Sequence, residues 1–186
     1  IDMGISDLVF SAGGEQHMGE DLKSLLTTAR RMRMVFEGVP QRYDRLLVED
    51  LALVGGLGEN ASVNAGTREA AAEKLVERLN RPGALPKDRE GAEEVGGWSA
   101  RADDQGGYVI SRMMRGVKDV YEIDHALLAS AEARKLDEIA KTIAPYFAEP
   151  AILTRKDTAE DVHRPSDLLV SVLAAGRKGQ SVQRYK

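Results

Sequence analysis

The apolar positions of this chain change their period several times, and each change marks an element. Ile5 to Ser11 predicts a short strand, broken by Ala12-Gly13-Gly14. From Gly19 to Glu37, the residues Leu22, Leu25, Leu26, Ala29, Met32 and Phe36 recur at steps of three and four. That is the period of a helix with one apolar face. Gly38 and Pro40 end this helix, and a second follows with Tyr43, Leu46, Leu47, Leu51 and Val54 on one side. Gly55-Gly56 stops it, and the short link between the two predicts a helical hairpin. Thr67 is placed to cap a third helix whose stripe is Ala72, Leu75, Val76 and Leu79. Residues 81–97 hold Gly, Pro and charge without a period, and read as a long mobile connection.

At Trp98 the period becomes two. Trp98, Ala100 and Ala102 alternate with polar residues, Asp103 to Gly107 is a turn, and Tyr108 to Arg115 is a second strand. Gly116 turns into a third, Val117 to Ile123, so the spacing predicts an antiparallel meander. A helix follows with Leu136, Ile139, Ala140 and Ile143 inward, closed by Pro145. Ala151 to Arg155 is expected as an edge strand. A last helix starts near Pro165, buries Leu169, Val172 and Leu173, and stops at Gly179, with Ser181 to Tyr185 as a final strand. The fold class is therefore α+β: N-terminal helices plus a small antiparallel meander with packed helices. The division expected is a helical part over about 1–80, the connection over about 81–97 and an α+β part over about 98–180.

Composition narrows the class of function. Of 186 residues, 42% are hydrophobic and 30% charged, as in ordinary globular proteins, and only 5% are aromatic, so the core is aliphatic. There is no Cys, which removes disulfides and thiolate metal sites and fits a reducing, cytoplasmic setting. No apolar run reaches the ~20 residues of a membrane span. A net charge of -4 argues against a surface that is basic throughout, and leaves local basic clusters as the candidates for nucleic-acid contact.

Candidate chemistry is sparse. Gly55-Gly56-Leu57-Gly58 follows a helix and has no Lys-Ser or Lys-Thr behind it, so it reads as a helix stop, not a phosphate loop. His17, His125 and His163 lie on separate segments without zinc-ligand spacing. Asp103, Asp104, Asp119 and Asp124 are oxygen donors of the kind Mg²⁺ takes, but acidic turns are common. Asp124-His125 is an acid/base pair on paper, with a capping hydrogen bond as the plainer reading. Arg30, Arg31 and Arg33 near a helix C-terminus read as a solvated face with a favourable dipole. Arg177, Lys178, Arg184 and Lys186 are the candidate DNA-binding residues, by phosphate contact, with plain solvation as the other open reading.

The tail Ser181-Val182-Gln183-Arg184-Tyr185-Lys186 resembles a segment of the bacterial DNA gyrase B family, among type IIA topoisomerases, that runs on into Gly-Leu-Gly. Arg177-Lys178-Gly179 resembles the basic pair and Gly before it. Gln41-Arg42-Tyr43 resembles the family's opening of its second insert helix, Glu77-Arg78-Leu79-Asn80 the end of the third, and Ile123-Asp124-His125 the step between meander and helix. Together these match the insert that many Gram-negative members carry within the Toprim region. The first residue is Ile1 and the tail stops inside the motif, so both ends are expected to be cut from a longer protein. The resemblance implies an insert domain over 1–180, with 181–186 starting the Toprim re-entry segment beside Ile5 to Ser11. It implies a host that uses ATP and Mg²⁺ and whose partners are DNA and the gyrase A subunit. It assigns this segment no catalytic, cofactor or metal residue of its own. A free-standing binding or adaptor domain is the alternative from another class, and a small enzyme built on Asp124 and His125 is a third.

Overall fold

A computed structural model describes residues 5–184, with side chains over 5–174. The chain divides into two compact units. One combines Ile1–Arg33 with Ile143–Lys186, and the other is Met34–Thr142. The fold is α+β with two small antiparallel sheets.

In the discontinuous unit the sheet order is β2-β1-β6-β7. Strand β1 (Leu8–Ala12) turns at Gly13 and Gly14, both at positive φ, into β2 (Glu15–His17). Its other edge pairs with β6 (Ala151–Arg155), which pairs in turn with β7 (Thr158–Val162). Leu8, Phe10, Ala12, Ala151 and Leu153 are buried, as alternation requires. Phe10 meets Phe147, from a 3-10 turn over Ala144–Phe147, at 5.5 Å between ring centres. Helix α1 (Glu20–Phe36) buries the predicted stripe, and α7 (Pro165–Arg184) buries Leu168, Leu169 and Val172 and lies against β7.

Several expectations fail here for identifiable reasons. Ala151–Arg155 is an inner strand, because Thr158–Val162 supplies β7 as the true edge, with four of its five residues exposed. β1 does not pair with 181–184, since its partners are β2 on one edge and β6 on the other. Gly179 does not stop α7, which continues to Arg184, so 181–184 are helical where a strand over 181–185 was expected. A helical glycine costs only about 1 kcal/mol relative to Ala. Tyr185 lies outside the described residues.

In the continuous unit α2 (Arg45–Leu53) is capped by Asp44, whose carboxylate accepts from the Leu47 amide at 3.2 Å. A short α3 (Glu59–Val63) precedes α4 (Ala65–Leu79). The cap of α4 is Asn64, which accepts from the Thr67 amide; Thr67 itself lies inside the helix. β3 (Trp98–Ala102), β4 (Tyr108–Met114) and β5 (Val117–Ile123) form the predicted meander in that order. α5 (His125–Leu128) and α6 (Ala131–Ile143) follow. Leu47, Leu51, Leu75 and Leu79 from the helices, and Tyr108, Ile110 and Ile123 from the sheet, are buried.

Candidate functional site

The motif residues that lie far apart in sequence meet in the continuous unit. Tyr43 donates its hydroxyl hydrogen to Asp124, 81 residues away. Arg42 lies over the Tyr43 ring, donates to its hydroxyl, and stands 3.7 Å from the Asp124 carboxylate. Asp124 also caps α5 by accepting from the Leu127 amide. The Tyr43 hydrogen bond is the main reason that its carboxyl is held below the usual carboxylate range, with the Leu127 amide and Arg42 adding to it. Asp124 and His125 are both exposed, and Asp124 is the N-cap of the helix that His125 opens.

The other motif residues are staples too. Arg78 reaches Asp50 at 3.4 Å, with both side chains buried. Asn80 behaves like a strand partner for Trp98: its oxygen accepts from the Trp98 amide at 3.1 Å and its nitrogen donates to the Trp98 carbonyl at 3.3 Å. These contacts carry the α4 terminus into β3.

The connection 81–97 contains no helix or strand, and two arginines hold it. Arg112, 4% exposed, donates to the carbonyls of Gly91, Glu94 and Gly96 at 3.0, 2.9 and 3.2 Å, and lies 5.4 Å from the Trp98 ring centre. Arg89 grips Asp44 with two hydrogen bonds, 3.2 and 2.7 Å. Sequence reasoning missed both. The available signal was Arg112 itself, a charge in phase with the core positions Tyr108 and Ile110 of its strand.

Gly55 and Gly56 form a helix stop. The Gly55 amide donates to the Ala52 carbonyl and the Gly56 amide to that of Leu51, the paired pattern of a Schellman turn, with Gly55 at φ +79°. The Gly56 carbonyl then accepts from Tyr108 at 2.7 Å. Asp103 spends one carboxylate oxygen on the amides of Gln105 and Gly107. His17 is buried against Asp21 and Tyr146. Among the described residues, no three His, Asp or Glu side chains are grouped to hold a metal ion.

The structure places Arg177, Lys178 and Arg184 on one helix, the C-terminal part of α7, instead of a helix end and a strand. Lys186 lies outside the described residues. Arg30, Arg31 and Arg33 are exposed on α1. No described helix is long and apolar enough to cross a membrane.

The continuous unit is thus cross-tied by side chains, and basic residues lie on α1 and α7. The chain belongs to the DNA gyrase B subunit insert domain family, whose model matches residues 6–171. It is similar to the DNA gyrase B subunit of Caulobacter vibrioides (strain NA1000 / CB15N), 38% identical over 175 residues, which cover 94% of this chain and 20% of that protein. The DNA gyrase B subunits of Rickettsia prowazekii (strain Madrid E) and Rickettsia bellii (strain RML369-C) are each 24% identical, over 94% and 100% of the chain and 20% and 22% of those proteins. The chain thus spans about a fifth of the length of these curated relatives.

Proposed function

We propose that this domain is a non-catalytic brace within a DNA gyrase B protein, part of an ATP-dependent type II topoisomerase that negatively supercoils DNA. It supports the neighbouring Toprim and tail regions of that cytoplasmic protein and helps couple ATP use to DNA handling. ATP and Mg²⁺ are held by other parts of the host, whose partners are DNA and the gyrase A subunit. Arg177, Lys178, Arg184 and Lys186 are the candidate DNA contacts of the domain.

The observation that carries this reading is the cross-tying of the motif segments. Tyr43–Asp124, Arg78–Asp50 and Asn80–Trp98 join helices, strands and loop ends within one unit. A part that transmits load needs discrete, packed elements that resist continuous deformation. In this reading the buried Arg78–Asp50 pair supplies geometric definition more than net stability.

The test replaces the domain by a short linker in a gyrase B protein that carries it, reconstituted with its gyrase A partner. ATP-dependent supercoiling should fall severalfold while ATP hydrolysis by the B protein persists. Unchanged supercoiling per ATP hydrolysed would refute the coupling role.

A further inference from the structure

Helix α1 spends its apolar stripe on the core: Leu22, Leu25, Leu26, Ala29 and Met32 are buried. That fixes the rotation of the helix and turns Lys23, Arg30 and Arg31 to solvent along one face, with Arg33 exposed at its flank. From Lys23 to Phe36 there is no acidic residue. Helices α4 and α6 are built differently, whereas α7 carries Asp167 alone ahead of Arg177, Lys178 and Arg184. α4 mixes Arg68, Lys74 and Arg78 with Glu69, Glu73 and Glu77, and α6 mixes Arg134, Lys135 and Lys141 with Glu132, Asp137 and Glu138. Interspersed signs are the usual composition of a helix face that only needs solvating. A dipole argument accounts for a basic last turn, but not for the lack of carboxylates over the preceding turns, because the effect fades within one turn.

We infer that the Lys23–Arg31 face of α1, with Arg33, is a second nucleic-acid contact that grips the phosphate backbone without reading bases. The cations extend over about 12 Å of helix, enough to meet several phosphates along a duplex. Arginine suits phosphate because its planar fork donates two hydrogen bonds at once. An anionic membrane is the poorer fit: membrane-surface helices offer a free apolar face, and here that face is buried, leaving Met34 as the exposed apolar side chain of this stretch. The choice of nucleic acid over an acidic protein segment rests on the proposed place of the domain in a DNA-handling enzyme.

The test is direct binding of a labelled short duplex by the 186-residue chain between about 50 and 200 mM salt. The variants are R30Q/R31Q/R33Q and the charge-preserving R30K/R31K/R33K, each checked by circular dichroism. The glutamine variant should bind about tenfold or more weakly at low salt, with the slope of log K against log salt shallower by about 2 to 3. The lysine variant should keep the parental slope. Absence of binding by the parent chain, or a glutamine variant with the parental slope, overturns the inference. So does competition by polyglutamate as strong as that by DNA at equal charge, which assigns the face to an acidic protein. The deletion assay in the host is independent: loss of this surface with supercoiling still dependent on the domain leaves the bracing role standing.

Discussion

Replacing Arg112 by Met removes the guanidinium that holds residues 91–96 while keeping much of the buried volume. Three carbonyls lose their donor. Those of Glu94 and Gly96 are on half-buried residues and can be rehydrated, for a net loss of about 0.5–1.5 kcal/mol each. Gly91 is buried, and an orphaned carbonyl there costs about 1–3 kcal/mol. Release of the desolvation cost of the arginine offsets part of this, so we expect R112M to lose about 3 kcal/mol. With a urea dependence of about 2 kcal/mol/M, the unfolding midpoint falls by about 1.5 M. Trp98 is the only tryptophan of the chain and lies against Arg112, so its fluorescence follows this unit and should shift to longer wavelength in the variant. R112K keeps the charge but not the fork, and should fall between the two. A variant with the parental midpoint and parental Trp98 emission would show that the connection is held by something else.

Gly56→Ala should destabilise the same unit by about 1–3 kcal/mol, since its Cβ would lie 2.9 Å from both Leu51 Cδ2 and Tyr108 Oη; a melting temperature unchanged by calorimetry counts against the packing described. Asn64→Ala should cost about 1 kcal/mol by uncapping α4, seen as faster amide exchange in its first turn and not in α2. Asp124→Asn bears on acid stability. A carboxyl whose folded pKa is depressed contributes stability above its unfolded value near 3.8, and that contribution is lost as pH falls through the folded value. The variant should therefore melt below the parent at neutral pH, and the gap should close below about pH 4; a gap constant with pH would remove the ion-linked part of the cap.

The helices α1, α2, α4, α6 and the start of α7, with the whole meander, were legible because each carries a clean period over many residues. β7 was not, because the apolar residues of Thr158–Val162 are only Ala159 and Val162, three positions apart, and show no strand alternation. β2 has three residues and α3 five, too few to show a period. The cap of α4 was misplaced by three positions because Asn64 and Thr67 are both capping residues in the same run. Of the candidate chemistry, the Gly55-Gly56 stop and the plainer capping role of Asp124 were readable from local rules. The Arg112 clamp was not, since its acceptors are backbone carbonyls, which look the same in every sequence.

The pairing of β1 with β6 sets a schedule for synthesis. Thr154 donates its side-chain hydroxyl to the Val9 carbonyl, a partner 145 residues earlier. At ribosomal speeds of about 5–20 residues per second, β1 leaves the tunnel roughly 7 to 30 s before the strand that completes its sheet. During that interval Leu8 and Phe10 have no finished core, while Met34–Thr142 can fold behind them. The hairpin partner β2 closes one side of β1 from the outset. A nascent chain stalled before Ala151 would thus present a folded second unit and a first unit with one sheet edge still open, a form exposed to chaperones and to aggregation.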